Sequence, residues 1–396
     1  MITDIIVVRA EPSRPRSDGW LFRTGLRRTR GRGGLAPAKV EVFSGMRAKD
    51  VKDLARDPTT LDWTYSFKTR LIGPTARRKA TSGRAWGLDA IGATASSLDA
   101  TGVVVAVLDT GIERSHPAFK GIEIVEGDFS GDGNGDVHGH GTHCAGTIFG
   151  RDVPTRIGVA RGVKNALIGK VLGDDGGGDS AALINGMRWA LAKGAHVISM
   201  SVALDFTGQV AMLKRKYGRP LKIAASIALD NYRRHLRLFD SVLDTMRKEA
   251  EATRREGCVV VAASGNESRR DENAAWSVNV SLPAAAAGVV AVGAVRRAGK
   301  RLAVASFSNS NPRIVAPGVG IISANHRGGL IELDGTSMAC PHVAGAAALW
   351  WEKLRPTSPN VSEAVVAKLI SGASLERFTA STEPEHRGEG LVRCPD

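Results

Sequence analysis

The chain contains a serine in a setting where its hydroxyl could be activated as a nucleophile. Ser337 lies in the segment GTSMACPHVAG (335–345), just before a small, apolar run at 338–349 that predicts a buried helix with proline in its first turn. Unpaired N–H groups at a helix start favour developing negative charge, and a nearby base can take the hydroxyl proton. Taken alone, however, a serine at such a position is more often a helix cap.

A histidine and an aspartate occupy comparable positions earlier in the chain. The apolar run at 103–108 predicts a buried parallel strand, and Asp109 follows it directly. Because ligands of open α/β sheets bind at the carboxyl ends of the strands, Asp109 is placed to reach such a crevice. His140 lies in HGHGTHCAGT (138–147), at the mouth of a small-residue helix. The order Asp, His, Ser is one of the known chain orders of the serine-hydrolase triad.

Each of these segments also has a simpler interpretation. Asp109 by itself is typical of a turn aspartate. Three histidines within six residues could suggest a metal site, yet no nearby glutamate completes an HExxH pattern, and Cys144 would point to another helix face. The three segments therefore gain their meaning only together.

Together the segments resemble the motifs of the subtilisin-like serine peptidases, the subtilases. The similar segments are DTGI (109–112), HGTHCAG (140–146) and GTSMACPHVAG (335–345). The resemblance implies a serine endopeptidase that works through an acyl-enzyme. It assigns the catalytic roles to Asp109, His140 and Ser337. His138 and His143 then take structural or exposed positions.

A fourth segment agrees with this resemblance. The apolar run at 259–263 predicts another buried strand, and it is followed by SGNE, which contains Asn266. A side-chain amide at the carboxyl end of a strand can donate to the oxyanion of a tetrahedral intermediate. The resemblance assigns this role to Asn266, beside the backbone N–H of Ser337.

The resemblance also implies two edges of a substrate cleft. One edge consists of Gly176, Gly177 and Gly178, which could pair with an extended peptide, and the opposite edge of Ser201, Val202 and Ala203. Where the family usually continues with Leu-Gly-Gly, this chain has Val-Ala-Leu at 202–204. These side chains should narrow the first specificity pocket, so we expect a small or basic residue before the cleaved bond. Pro283 corresponds to a position that is often a cis proline in the family.

The length of 396 residues suits one large α/β domain with a small partner. The resemblance implies the subtilisin-like three-layer fold for residues 86–396, with a mostly parallel central sheet flanked by helices. Strand, helix and strand patterns precede it and resemble a shortened prodomain, a small α/β region at 1–76. The basic stretch at 77–85 is predicted to be an exposed linker where processing occurs.

Positive charge is concentrated in the first part of the chain. Residues 1–87 contain 19 Lys and Arg but only 8 Asp and Glu, out of a net charge of +14 for the whole chain. The Arg, Gly and Pro-rich stretch at 14–32 is typical of a loop and could bind nucleic acid. We do not favour that partner, because few aromatic residues are interleaved and no nucleic-acid-binding motif is present.

An insertion at 207–257 departs from the family pattern. Apolar residues recur there at helical spacing among many charged ones, which predicts one long or two packed amphipathic helices from Pro220 onward. The simpler interpretation is a surface helix pair. The alternative is an arm that docks a partner or restricts substrates.

No cofactor and no metal site are predicted. The family often binds calcium, but Ala118 stands where a ligating aspartate would be expected. An oxygen-rich loop could bind this ion through Asp128, Asp132, Asn134 and Asp136, although an ordinary polar loop is the simpler interpretation. The expected partners are protein or peptide substrates and the chain's own N-terminal region.

The first residues show the pattern of a strand and not that of a signal peptide. We therefore expect a cytoplasmic protein or export by a non-standard route. Four dispersed cysteines do not form a disulfide scaffold, and no apolar stretch is long enough to span a membrane.

Two functions are compatible with the resemblance. An endopeptidase made as a self-processed zymogen explains the four motif residues, whereas a masked or non-catalytic binding protein of the same fold has no need of them.

Overall fold

The computed structural model describes residues 3–10, 38–80, 85–252, 256–379 and 382–396. The Arg-rich stretch at 14–32 and positions 81–84 of the predicted linker lie outside these residues. The N-terminal elements are β1 (Thr3–Ala10), β2 (Ala38–Met46), α1 (Ala48–Arg56), β3 (Thr60–Tyr65), β4 (Lys68–Leu71) and β5 (Ala76–Lys79).

The larger part of the chain alternates strands and helices. Its first half contains α2 (Trp86–Ala90), β6 (Val104–Asp109), a 3-10 turn (Pro117–Phe119), β7 (Glu123–Asp128), α3 (His140–Phe149), β8 (Asn165–Lys170), β9 (Gly177–Asp179), α4 (Ser180–Ala192), β10 (Val197–Met200) and β11 (Val202–Leu204). The second half contains α5 (Phe206–Tyr217), α6 (Leu221–Ala252), β12 (Val259–Ala263), β13 (Val289–Ala298), β14 (Arg301–Val304), β15 (Ile314–Pro317), β16 (Ile321–Ala324), β17 (Leu330–Asp334), α7 (Thr336–Leu354), α8 (Val361–Ser371) and α9 (Pro384–Arg387).

A mostly parallel central sheet organises this part. Its eight strands run in the order β14-β13-β12-β10-β6-β8-β7, and β15 also pairs with β13. All of these pairings are parallel except β13 with β14. The carboxyl ends of β6 and β12 therefore lie at the same edge of the sheet, which brings the segments after Asp109 and Ala263 together.

Helices cover both faces of this sheet. Alternate residues of β6 belong to different cores: Val105 and Val107 pack in the cluster that includes α3 and α7, whereas Ala106 and Leu108 pack in the cluster that includes α4 and α6. Since successive strand residues point to opposite faces, both faces are buried. The predicted three-layer fold is thus confirmed.

The N-terminal region forms a small α/β unit of its own. Its sheet has the antiparallel order β2-β1-β3. Ile5 and Val7 pack with Val51 of α1, whereas Ile6, on the opposite face, joins the core beneath α4 and α6. The hydroxyl of Thr64 also donates to the Asn231 side chain of α6 (2.9 Å). The small sheet is therefore seated on the helices of the larger part.

The insertion is a helix pair, as predicted, but α6 is more than a surface element. Its 32 residues form a single helix, and Leu238, Phe239, Val242 and Met246 are buried in the core. In contrast, α5 has no buried residue. Among the described residues, no helix combines the length and the hydropathy needed to cross a membrane.

Residues 68–79, here called the cleft segment, link the N-terminal unit to the larger part. Strand β4 pairs antiparallel with β9 on one side and with β11 on the other. Strand β5 pairs antiparallel with β17. Residues 77–79 of the predicted linker are exposed, yet they belong to a paired strand. Their backbone groups bond to β17, so this part of the stretch is an exposed edge strand, and its role as a processing linker stays a prediction.

Candidate active site

His140 and Asp109 form a buried hydrogen-bonded pair. Nδ1 of His140 lies 2.8 Å from Oδ1 of Asp109, and each side chain is only 1% exposed. Asp109 ends β6 and His140 begins α3, so the sheet edge and a helix N-terminus bring them together. Nε2 of His140 has no hydrogen-bond partner among the described residues. The imidazole is therefore held at one nitrogen, and its other nitrogen is available to accept a proton.

A second carboxylate fixes the start of α3. Asp136 accepts hydrogen bonds from the hydroxyls of Thr110 (2.8 Å) and Thr142 (2.6 Å) and from two backbone N–H groups, those of Gly139 and Thr142. These bonds lower the pKa of Asp136 against the opposing effect of burial, which is the largest single influence. Asp136 thus ties the segment after Asp109 to the helix that carries His140.

Two glycines allow this close approach. A Cβ on Gly111 would lie 1.9 Å from the carbonyl oxygen of Gly135, and one on Gly141 would lie 2.2 Å from the carbonyl oxygen of Gly111. Gly111 also has a φ of 111°, a conformation that other residues rarely adopt. The glycines of the DTG and HGT segments are therefore needed for the contact between β6 and α3.

Ser337 is the second residue of α7, so its backbone N–H has no carbonyl within the helix to bond. The helix starts two residues before the predicted start, and Pro341 consequently lies in its second turn rather than its first. Proline has no N–H to donate to the Ser337 carbonyl four residues earlier. The thiol of Cys144 occupies that position instead, 3.4 Å from the carbonyl oxygen.

Asn266 is oriented by the residue before the serine. Its side-chain oxygen accepts from both the N–H (2.9 Å) and the hydroxyl (2.8 Å) of Thr336. The amide NH₂ must then point the other way, into the cleft. Gly335 is extended (φ 161°, ψ 161°), so it forms no tight turn. A Cβ there would lie 3.1 Å from the Asn266 amide nitrogen, and glycine keeps that space open.

The cleft segment meets both of these groups. The hydroxyl of Ser337 donates to the carbonyl oxygen of Ile72 (2.5 Å), and the amide of Asn266 donates to the carbonyl oxygen of Gly73 (2.9 Å). Hydrolysis requires that one carbonyl meet the nucleophile at carbon and the oxyanion donor at oxygen. Here the Ile72 carbonyl contacts the serine hydroxyl and the Gly73 carbonyl contacts the Asn266 amide. No single carbonyl contacts both groups, so the segment lies across the site without adopting the reacting geometry.

The residues predicted to bind substrate all lie beside this segment. On one edge, Arg70 pairs with Gly177 and Thr69 with Gly178, and the Leu71 N–H donates to the Gly176 carbonyl (2.9 Å). On the other edge, Leu71 pairs with Val202, Arg70 with Ala203, and the Ile72 N–H donates to the Ser201 carbonyl (3.2 Å). The two predicted edges therefore form one groove for an extended chain.

The residue opposite Ser201 is Ile72, which is 1% exposed. The expectation of a small or basic residue before the cleaved bond stays a prediction, although the chain's own segment places an aliphatic side chain there. The Leu282–Pro283 bond is cis, as the resemblance implied.

The cysteines near the site are not candidates for the nucleophile. Burial raises the pKa of the Cys144 thiol well above its usual range and that of Cys340 to about 12, so both are protonated at neutral pH. Within the described part of the chain, one group of side chains is close enough to hold a metal, and it consists of Asp109, His140 and Cys144. Because Asp109 and His140 are bonded to each other, they form a closed hydrogen-bonded pair rather than an open ligand set.

Structural hydrogen bonds engage four of the other predicted polar residues: His143, Asp128, Asp132 and Asp136. His143 is fully buried, its Nε2 lies 3.1 Å from the Ile321 carbonyl, and burial lowers its pKa to about 3. His138 is half-buried, with its ring 6.3 Å from that of His140. Asp128 accepts from three backbone N–H groups and a hydroxyl, and Asp132 accepts from the Asp174 N–H. Asn134, the fourth candidate in this loop, is exposed, and calcium binding here stays an untested alternative.

Sequence reasoning missed three residues that position the site. Asp136 was considered only as a possible calcium ligand. Thr336 lies within the serine motif, but the motif does not indicate that it orients the Asn266 amide. Asn309 accepts from the N–H groups of Glu267 and Ser268, and it donates to the Ser264 carbonyl, which fixes the turn that carries Asn266. The only sequence signal for Asp136 and Thr336 is that each is a polar residue beside or within a motif. Asn309 lies outside every motif, so nothing in the sequence indicates its role.

Comparison with known proteins agrees with this geometry. The sequence profile of the Subtilase family matches residues 100–385. The major intracellular serine protease of Bacillus subtilis (strain 168) is 35% identical over 256 residues, which cover 62% of this chain and 67% of that protein. Subtilisin DY of Bacillus licheniformis is 34% identical over 298 residues, which cover 73% and 88%. Alkaline serine exoprotease A of Vibrio alginolyticus is 32% identical over 352 residues, which cover 85% and 55%. The chain therefore belongs to the subtilase family of serine peptidases.

Proposed function

We propose that Ser337, His140 and Asp109 carry the peptide-bond hydrolysis of this serine endopeptidase. One observation supports these roles above the others. The groove is filled by an extended stretch of polypeptide, and consecutive carbonyls of that stretch bond to Ser337 and Asn266. A site that holds a peptide backbone at a serine hydroxyl and an amide donor is suited to acyl transfer.

In this mechanism the proton follows a single route. Nε2 of His140 takes the proton of the Ser337 hydroxyl while Oγ bonds to the peptide carbonyl carbon. The resulting imidazolium is stabilised by Asp109, to which Nδ1–H donates. His140 then returns the proton to the leaving amine as the C–N bond breaks. Water, deprotonated by the same histidine, hydrolyses the ester on Ser337.

The negative oxygen of the intermediate requires fixed donors. We assign this role to the Asn266 amide and the backbone N–H of Ser337. Thr336 keeps the amide from rotating, because rotation would bring the Asn266 NH₂ against two donors.

The N-terminal region at 1–76 acts, in this proposal, as a prodomain whose final segment blocks the groove. While the Ser337 hydroxyl donates to Ile72, it does not donate to His140. Release of the segment frees the hydroxyl for the histidine. We place the first cut at Ile72–Gly73, ahead of the 77–85 stretch predicted from the sequence, because Ile72 bonds to both Ser201 and Ser337 and the next bond precedes proline.

Labelling and mass measurement together test the roles and the processing. A fluorophosphonate should modify the active protein at Ser337 alone, as found by peptide mapping, and should not modify Ser337→Ala. The control Ser371→Ala, at the exposed end of α8, should label normally. The intact mass of the wild type should show loss of about the first 72 residues, whereas Ser337→Ala stays whole. A wild type that stays whole and unlabelled would support the masked binding protein instead.

No cofactor takes part in this mechanism. The catalytic groups bond to one another and to backbone, and each has a role in acid–base chemistry or charge stabilisation. Peptidase activity should therefore persist in EDTA. A loss of turnover that calcium restores, with the fold unchanged by circular dichroism, would contradict this.

A further inference from the structure

Arg70 of the cleft segment contacts two carboxylates of the peptidase domain. Its Nη2 pairs with Oε1 of Glu267, and its Nε lies 3.6 Å from Oδ1 of Asp205. The three side chains are 38%, 28% and 29% exposed, so the contact is half-buried. A guanidinium between two carboxylates has favourable charge on both sides.

The two acids are held in place without help from Arg70. The second oxygen of Glu267 accepts from the Asn309 amide (2.6 Å), and the Glu267 N–H donates to the same side chain (3.0 Å). Asp205 caps α5, where it accepts from the Gly208 N–H (3.0 Å). Both carboxylates therefore stay at the groove when the cleft segment leaves, and they form a preorganised acidic recess.

The recess lies at a defined position along the groove. Arg70 pairs with Ala203 and Gly177, two residues before Ile72, whose N–H bonds to Ser201. A substrate that forms the same backbone bonds places its corresponding side chain beside Glu267 and Asp205. Extended chains fix this register, because the side-chain period of a strand is two.

We infer that Glu267 and Asp205 form a specificity subsite that selects arginine or lysine two residues before the residue opposite Ser201. This inference rests on the proposed function, since it needs substrate to follow the path of the cleft segment. The preferred substrates are then polypeptides with a basic residue two positions ahead of the residue that precedes the cut. Because the recess is partly exposed, salt should weaken the preference.

Matched peptides test the inference. Two internally quenched peptides carry the sequence around 68–72 ahead of the cut, one with arginine and one with the uncharged isostere citrulline at the position of Arg70. The enzyme is the purified full chain after its own processing, and its active sites are titrated with fluorophosphonate. We expect kcat/KM to be about tenfold higher for the arginine peptide. The ratio should fall toward one in Glu267→Gln and in Asp205→Asn.

Glu272→Gln is the matched control, since Glu272 is an exposed acid that pairs with Arg269 on the same loop. It should keep the wild-type ratio. If Asp205→Asn also cleaves the citrulline peptide poorly, the substitution has damaged the enzyme as a whole. The test then rests on Glu267→Gln, in which the bonds to Asn309 remain possible.

Equal cleavage of both peptides by the wild type, or an unchanged ratio in Glu267→Gln, would overturn the subsite while leaving the peptidase intact. Failure to cleave either peptide, together with an unlabelled Ser337, would instead overturn the proposed function.

Discussion

The two halves of the active site differ in what completes them. In the first half, Asp109 and His140 bond to each other, and Asp136 fixes their helix, so every partner comes from the peptidase domain. In the second half, Ser337 and Asn266 bond to carbonyls of Ile72 and Gly73, which belong to the cleft segment. The half formed by Asp109 and His140 is therefore complete. In the other half, Ser337 and Asn266 are bonded to the cleft segment.

This difference indicates where activation takes place. No catalytic residue has to be rebuilt, since the Asp109–His140 pair is buried and the Asn266 amide is already oriented by Thr336. The hydroxyl of Ser337 has to change its partner from Ile72 to His140, and the Asn266 amide has to release the Gly73 carbonyl. In the proposed zymogen, control therefore depends on the contacts that retain the cleft segment.

Asp109→Asn should break the assembled half with the largest effect. An asparagine can keep the contact but favours the wrong imidazole tautomer, so kcat should fall about 10⁴-fold. Turnover of a quenched peptide at saturating concentration measures this. Asp271→Asn, at an exposed position, should match the wild type, and a loss below tenfold in Asp109→Asn would contradict the assigned role.

Asn266→Ala should impair the second half less severely. Loss of one oxyanion donor lowers kcat by about 10²- to 10³-fold with little change in KM. Thr336→Val sharpens this test, because it removes only the hydroxyl that orients the amide and should cost less than Asn266→Ala. Steady-state kinetics of both variants measure the two decreases in kcat. Equal decreases would show that Thr336 has a role beyond orienting the amide.

Arg78→Gln should loosen the part of the cleft segment that follows the proposed cut at Ile72–Gly73. Arg78 pairs with Glu332 (2.6 Å) and with Asp334, and both partners lie on β17. Because a looser segment brings the Ile72–Gly73 bond into the reacting geometry more often, we expect this cut to be about three- to tenfold faster, as intact mass over time would show. Arg77→Gln is the control, since neighbouring strand residues point to opposite faces. Equal rates in the wild type and Arg78→Gln would mean that these ion pairs do not retain the segment.

The last effect concerns the pH dependence of stability rather than the rate of a reaction. Burial lowers the pKa of His143 to about 3 and that of His342 to about 4, below the value near 6.5 of an unfolded histidine. The unfolded state then binds protons that the folded state does not, so stability is constant above about pH 6.5 and falls as the pH decreases toward 4. At pH 5 the loss is about 2 kcal/mol for each histidine.

Denaturant unfolding at pH 7 and pH 5 measures this loss. His143→Gln should reduce the difference between the two conditions, because an amide can still donate to the Ile321 carbonyl but does not titrate. Asp136 does not interfere, since its lowered pKa keeps it charged throughout this range. An unchanged difference in His143→Gln would argue against the buried neutral histidine.

Much of the peptidase domain could be predicted because its determinants are local. Continuous apolar runs such as 103–108 and 259–263 predicted buried parallel strands, and the residues that follow them, Asp109 and Asn266, lie where strand ends meet. Helical periodicity likewise predicted α6. Its burial in the core could not be predicted, because the face that packs against α4 depends on contacts far apart in the chain.

What the sequence alone determined is the chemistry: an aspartate, a histidine, an asparagine and a serine, each beside glycines that permit close packing. Only the tertiary structure decided which groups meet. It placed Thr336 behind Asn266, Asp136 behind His140 and the thiol of Cys144 at the carbonyl freed by Pro341. It also paired residues 77–79 with β17 and set Ile72 and Gly73 at the catalytic groups. These are contacts between distant segments, and they depend on the register of paired strands, which the local pattern of one strand does not specify.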